Sequence, residues 1–329
     1  MVDVVERPAL DGARVERSGA FSGFVRTGAA LEMKAFTGVT GGEGGFAIPR
    51  EIDATLKGVS PIRSIANVVQ VGSAGYRKLV TTGGAPSGWA SEVAARPVTA
   101  SPNFVEIAPP SGELYANPSA SQAMLDDAAF DVEEWLAGEI ANEFAKAEGA
   151  AFVSGNGVNR PRGFLANPVA ADGDATRTFG ALQYLASGAA GDFAANGQER
   201  LIDLVQALRS PYRQGASFVM NASVLARIRK FKTSDGAFLW QPSLAAGMPA
   251  TLLGYPVVEA EDMPDLAAGS LSVAFGNFKA GYLIAERRET AILRDPYSNK
   301  PFVSFYATKR IGGCVSNSEA IKLMRFSAT

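Results

Sequence analysis

Thirty-three Asp and Glu residues and not one histidine bound the chemistry open to this chain. Without imidazole, the commonest general base and the commonest metal ligand are gone. The Ser-His and Cys-His nucleophile pairs go with them. What remains is carboxylate-only or lysine-based catalysis. Carboxylates gather at Asp131, Glu133, Glu134, Glu139, Glu143 and Glu148. A run of that kind suggests cation ligation on a helix, but such sites pair their glutamates with histidines, and a solvated helix face explains the run. Asp126 and Asp127 are adjacent, so on a helix they point in different directions and make a poor acid–base pair. Gly155-Asn156-Gly157 followed by Pro161-Arg162-Gly163 invites a phosphate-loop reading. It lacks the lysine and Ser/Thr of such loops, and it follows a helix instead of opening one. No GxGxxG fingerprint follows a strand, and nucleotide binding is rejected.

Cys314 is the only cysteine, which excludes an intrachain disulfide and a thiolate zinc site. Lying in GGCVS between apolar runs, it reads as a small buried core residue and not as a reactive thiol. Arg227, Arg229, Lys230 and Lys232 form the one basic cluster worth naming. With a net charge of −2, a solvated helix face is favoured over a nucleic-acid site. No catalytic, cofactor-binding or metal-ligating residue is assigned.

The elements that would position these residues centre on Asp131–Leu165. Val132, Trp135, Leu136, Ile140, Phe144, Ala147 and Ala151 recur at steps of three and four, which predicts one apolar face of a long helix. Asp131 suits its N-cap, with Glu134 reaching back in a capping box. Gly155, Gly157, Pro161 and Gly163 end it. Upstream, Glu51–Leu56 is a short helix and Ser64–Val71 a strand. Gly112–Asn117 continues as strand, and Ser121–Ala129 is a short helix. Downstream of Leu165, a polar Ala/Gly-rich linker runs to Gly197. An amphipathic helix follows over Gln198–Arg209, with Leu201, Leu204, Val205 and Leu208 inward. Ser217–Met220 is a buried strand, and Asn221 caps a helix through Val224, Leu225 and Ile228. Leu252–Glu259, Leu271–Phe275, Gly281–Arg287, Thr290–Arg294, Phe302–Ile311 and Ala320–Phe326 read as strands. The length of 329 residues suits one elaborated domain or two. No apolar run is long enough to span a bilayer. The N-terminus lacks the basic start and apolar core of a signal peptide, so cytoplasmic synthesis is expected.

Two stretches look unable to bury themselves. Residues 1–45 are rich in glycine and alternating charge; they read as an unstructured tail or as an arm that orders against a partner, and on residue types alone the tail is favoured. Tyr76–Thr81 and Asn103–Ile107 read as strands separated by about 20 residues, longer than an ordinary structureless loop. A two-stranded ribbon is not stable alone. A projecting hairpin that needs another surface is therefore expected, with Trp89 near its middle costly to leave in water. The competing reading folds Trp89 back onto its own domain.

Taken in order, these pieces resemble the major capsid proteins of tailed phages, whose fold is named after phage Hong Kong 97. They are the glycine-rich stretch ending GGFAIP, the long hairpin, DDAAFDVEEWLAGEIANEFAKAEGAAFVSGNGVNRPRGFL, the helix and strand about Ser217–Asn221, LLGYPVVEAEDMP, AFGNFKAGYLIAER and PFVSFYATKRIGG. The likeness covers about residues 20–326. It implies an α+β chain of that capsid type, shared by phages and phage-like gene transfer agents. Residues 1–50 would be an N-terminal arm lying across a neighbour, and residues 72–108 an extended loop over the adjacent subunit. Residues 51–71, 109–177 and 299–329 would form a peripheral domain. Its spine helix, 131–153, would be backed by a long sheet from 64–71, 104–117 and 302–326. Residues 178–298 would form an axial domain. The implied function is a shell of hexamers and pentamers, icosahedral or related, around double-stranded DNA bound non-specifically. A portal, a maturation protease and possibly a scaffold would be further partners. The location implied is the capsid or virion, assembled in the bacterial cytoplasm, with no enzyme activity, cofactor or membrane.

The resemblance has departures. Some members cross-link a loop lysine to a peripheral-domain asparagine with help from a glutamate. Here Arg96 stands at the lysine's place, and a guanidinium is no amine nucleophile at neutral pH. Asn299 lies near the asparagine's place, but Phe302–Arg310 offers no carboxylate, so a non-covalent shell is expected. Only about 30 residues precede LEMKAF, fewer than the scaffolding segment many relatives carry; any cleavage is expected near Leu31–Thr37. Two rival functions remain at this point: an encapsulin-like compartment holding enzyme cargo, and a histidine-free carboxylate-dependent enzyme.

Overall fold

The computed structural model describes residues 46–47, 60–72, 75–82, 87–90, 98–99, 101, 103–121, 132–232, 251–287 and 290–328. The chain forms two compact units. One draws on residues 1–59, 113–145 and 289–310, the other on 60–112, 146–288 and 311–329. Divisions fall inside one helix, Val132–Ser154, and inside two strands, Ser111–Ala116 and Phe302–Val315, each of which contributes to both units.

In the first unit a sheet packs on the early turns of that helix. Ala291–Asp295 runs antiparallel to Phe302–Val315, pairing Leu293 with Tyr306, and Phe46–Ala47 adds to its other edge. Ser119–Ser121 pairs with the start of the same long strand. Alternation does its expected work here: Val303, Phe305 and Ala307 are buried while Phe302 and Tyr306 are exposed. The inward residues join Ile292 and the helix residues Ile140, Ala141, Phe144 and Ala145 in one core.

The second unit is built on a seven-stranded sheet. Its order is Thr251–Leu252, Tyr255–Glu259, Ser217–Met220, Val273–Gly276, Ile321–Arg325, Leu182–Ala186 and Val169–Ala170. Ser217–Met220 and Val273–Gly276 are buried throughout, because both faces are covered. Phe218, Met220, Phe275 and Met324 pack on one face with Leu201, Leu204, Val224 and Leu225 of the helices Gly197–Ala207 and Ala222–Arg229. Val219, Ala274 and Leu323 pack on the other face with Phe152, Phe164, Phe278 and Tyr282. Asn221 caps its helix as expected, its side-chain oxygen accepting from the Val224 amide at 2.9 Å. The end of the long strand pairs with Tyr282–Glu286, which runs parallel to Asn67–Gln70.

Several sequence expectations are corrected. The supposed linker from 166 to 197 contains Leu182–Ala186, an inner strand parallel to Ile321–Arg325. Its five residues carry no alternation, because its burial is nearly uniform. Ser64–Val71 splits into a helix, Pro61–Ile65, with proline in its first turn, and a shorter strand, Asn67–Gln70. The long sheet expected from 64–71, 104–117 and 302–326 forms in part: Asn67–Gln70, Ser111–Ala116 and Phe302–Val315 belong to one sheet, joined by Tyr282–Glu286 and Ala291–Asp295. Asn103–Ile107 instead pairs with Lys78–Thr82 in a separate two-stranded sheet, and Ile321–Arg325 belongs to the sheet of the second unit described above. Ser121 is strand, while 122–130, the helix expected at Glu51–Leu56 and the cap Asp131 lie outside the described residues.

The long helix has 23 residues, about 34 Å at 1.5 Å per residue. Its buried positions are Ile140, Ala141, Phe144, Ala145, Glu148, Gly149, Phe152 and Val153, while Trp135 and Ala147 are exposed. A stripe advancing by four gains on the 3.6-residue turn, so it winds around the helix instead of running straight along one side. The straight face expected through Val132, Trp135, Leu136, Ile140, Phe144, Ala147 and Ala151 therefore holds at Ile140 and Phe144 and misses at Trp135 and Ala147. At the helix end, Gly155 donates to the Ala151 carbonyl and Gly163 donates to Gly155, so the chain folds back over its last turn. A Cβ on Gly163 would stand 2.4 Å from the Val153 carbonyl carbon and oxygen, both backbone atoms that cannot step aside. Gly163→Ala is therefore expected to destabilise the chain by about 2–4 kcal/mol, read as a lowered unfolding midpoint in denaturant.

Candidate assembly surface

The residues that stand out as available are apolar. Lys78–Thr82 and Asn103–Ile107 pair antiparallel, with Leu79 opposite Glu106 and Thr81 opposite Phe104. Side chains directly opposite share a face, so Leu79 and Phe104 lie together on one side of the ribbon. Both are exposed, at 69% and 64%, and the ion pair Arg77–Glu106 closes the end of that face at 2.8 Å. In the connecting stretch, Trp89 and Val98 are fully exposed. Folding back onto the parent unit, the competing reading for Trp89, is not what the structure shows. The strand Asn103–Ile107 lacks alternation because it has no buried side: four of its five residues are exposed.

A second apolar surface belongs to the first unit, on the sheet face away from the helix. Leu293 and Tyr306 are cross-strand partners, and the Tyr115 ring lies 6.4 Å from that of Tyr306. Phe302, Leu293 and Tyr115 are all exposed, and Arg310–Glu113 pairs beside them at 2.8 Å. An antiparallel sheet with one free face ordinarily turns polar residues outward. Here Phe302, Leu293, Tyr306 and Tyr115 stand outward among Ser304, Thr308 and Asp295, an exposed apolar cluster of the kind that marks an interaction surface.

The residues considered for chemistry fall elsewhere. Glu139 and Glu143 are exposed on the long helix, whereas Glu148 is buried and accepts from Arg63 at 3.1 Å. Arg63 also donates to Glu286 at 2.8 Å, and Gln70 donates to the same Glu286 oxygen at 2.8 Å. This network ties the short helix before the hairpin to the long helix. Among the described residues no group of three or more His, Cys, Asp or Glu side chains is placed to hold a metal ion. The GNG and PRG segments are structural. Arg162 donates its amide to Gly313, Tyr282 donates its hydroxyl to the Arg162 carbonyl, and Asn156 bridges to Arg162. Asp126 and Asp127 and the loop residue Arg96 lie outside the described residues. Asn299 is exposed, its carbonyl accepting from Phe302.

The basic cluster is partly neutralised. Arg227 makes a forked contact with Asp192, whose carboxyl it holds below the usual range. Sequence reasoning missed a second buried network around Asp174. Lys322 donates to Asp174 and, at 2.8 Å, to Gln183; Arg177 pairs with Asp174 at 2.7 Å. Burial pushes the Lys322 ammonium down and Asp174 partly restores it. No local signal betrays a partner 148 residues away in sequence. No helix among the described residues is long and apolar enough to cross a membrane.

With cores complete in each unit and apolar surface left over outside them, the molecule is a structural subunit. The model for the phage capsid family matches residues 44–326, and the chain belongs to that family. It has the Hong Kong 97-type capsid fold and is a major capsid protein, building a shell from copies of itself. Among solved structures, the capsid of an empty GTA particle is 46% identical, covering 91% of this chain and 98% of that one, with a TM-score of 0.77. The capsid of a native GTA particle is 47% identical, covering 91% and 99%, with a TM-score of 0.76. A Microbacterium phage Oxtober96 chain is 12% identical over 91% and 99%, with a TM-score of 0.58, and shares the fold. Among curated proteins none matches.

Cys314 is buried, and burial pushes its thiol up to about 11. At pH 8 about one thiol in a thousand is thiolate. The folded subunit is expected to resist a maleimide reagent that labels the unfolded chain at once. Rapid labelling in native buffer would contradict the buried assignment.

Proposed function

We propose that this chain assembles a non-covalent shell, icosahedral or related, of hexamers and pentamers around packaged double-stranded DNA, as in a phage or a gene transfer agent. The observation that carries the reading is the hairpin bearing Leu79, Trp89, Val98 and Phe104 in water. Burying one such side chain is worth about 1.5–3 kcal/mol, and several together supply a stable interface when a neighbour covers them. Residues 72–108 act as an extended loop over the adjacent subunit, and residues 1–50 as an arm across a neighbour. Residues 51–71, 109–177 and 299–329 form the peripheral domain, and 178–298 the axial domain. These roles follow places in an assembled shell, whereas the two compact units follow packing within one chain.

DNA is held weakly and without sequence preference, through counterion release at scattered basic residues. A portal, a maturation protease and possibly a scaffold act during assembly in the bacterial cytoplasm. The chain itself has no enzymatic role. Arg96 in place of a nucleophilic lysine supports a shell without cross-links. Boiled, reduced particles are expected to run as one band of subunit size, and a ladder would contradict this.

Electron micrographs of the purified protein test the reading directly: closed particles with nucleic-acid absorbance are expected, and particles filled with protein cargo would favour a compartment instead. Trp89→Ser is expected to leave the subunit's unfolding midpoint unchanged within about 0.5 kcal/mol, while cutting particle yield severely. Normal particle yield from that variant would contradict a covered hairpin.

A further inference from the structure

Left-handed backbone occurs, among the described residues, at seven glycines, at Asn159 and at Leu253. Asparagine tolerates that region. Leucine loses about 1–2 kcal/mol in it, because its Cβ crowds the following carbonyl. Leu253 (φ 52°) and Gly254 (φ 82°) form the two-residue turn that joins Thr251–Leu252 to Tyr255–Glu259, closing on the pair Leu252–Tyr255. Such a turn, with both φ values positive, is ordinarily Asn-Gly or Gly-Gly. Gly254 fits that demand and Leu253 does not.

Burial does not repay that cost at Leu253. Leu252 beside it is buried in the core, yet Leu253 is 47% exposed. The turn also closes the edge strand of the seven-stranded sheet. An observed backbone outlier at an exposed apolar residue is grounds for inferring a function that lies outside the isolated fold.

We propose that Leu253 is a contact between subunits, the turn seating in an apolar recess of a neighbouring copy. This rests on the shell reading. A copy of this chain is the occupant because copies of itself are the partners its family membership establishes. The contact is heterologous, with the turn on one copy and the recess on the next, as ring-closing interfaces require.

The test uses the full chain carrying Leu253→Cys. Cys314 is buried with its thiol pushed up to about 11, so it does not compete for reagent. Maleimide labelling of the new thiol is compared in released subunits and in assembled particles. Labelling in particles is expected to be at least about tenfold slower, and equal rates would overturn the proposal. Leu253→Asn provides a second readout, because asparagine suits the turn. Released subunits of that variant should unfold at the same or a higher temperature, while particle yield falls. Lower subunit stability, or undiminished yield, would show that Leu253 serves its own fold. Failure of the unaltered chain to form particles is a separate result: it removes the shell reading, and this inference falls with it.

Discussion

Apolar surface has to be covered, and this chain covers it by two different means. In the second unit the inner strands of the seven-stranded sheet are buried on both faces, Phe218, Phe275 and Met324 on one side and Val219, Ala274 and Leu323 on the other. Each Å² of apolar surface so removed from water is worth about 25 cal/mol. The hairpin of Lys78–Thr82 and Asn103–Ile107 is the opposite case: a two-stranded sheet with Leu79 and Phe104 in water. Two strands alone do not hold a geometry. Under the proposed function, the same hydrophobic effect that closes the cores draws the hairpin onto another subunit.

Buried charge appears where elements that are distant in sequence must keep a fixed relation. Arg63 lies between Glu148 and Glu286, joining the helix at the foot of the hairpin to the long helix and to an inner strand. Lys322, Arg177 and Asp174 bind the loop at 174–177 to the closing strand. Buried pairs of this kind add little net stability compared with apolar packing, but losing one partner is costly, so they enforce one arrangement. The surface pairs Arg77–Glu106 and Arg310–Glu113 are different. They sit at the ends of apolar faces and are half-exposed, where each adds little on its own.

How much could be read from the sequence depended on how local the determining physics was. Asn221 and its helix were legible because an N-cap is a matter of four residues. Ser217–Met220 was legible as a short unbroken apolar run. Leu182–Ala186 was not, because uniform half-burial erases alternation in a strand between Ala/Gly-rich flanks. The long helix was read correctly in place and length, yet its buried face was taken as straight when it winds. The hairpin was legible from a deficit: two strand-like segments with too long a connection and too little to bury. The inward network at Asp174 and the turn at Leu253 gave no warning, since one depends on contacts far along the chain and the other on a backbone angle. The absence of histidine is the most restrictive single fact about the chemistry open to the chain.

The central claim is that Leu79, Trp89 and Phe104 are uncovered in the subunit and covered in the shell. Hydroxyl-radical footprinting followed by mass spectrometry, on released subunits and on intact particles, measures this at each side chain. The account predicts strong oxidation of all three in subunits and marked protection in particles, with the buried Phe218 protected in both. Equal oxidation of Trp89 in the two states would contradict it.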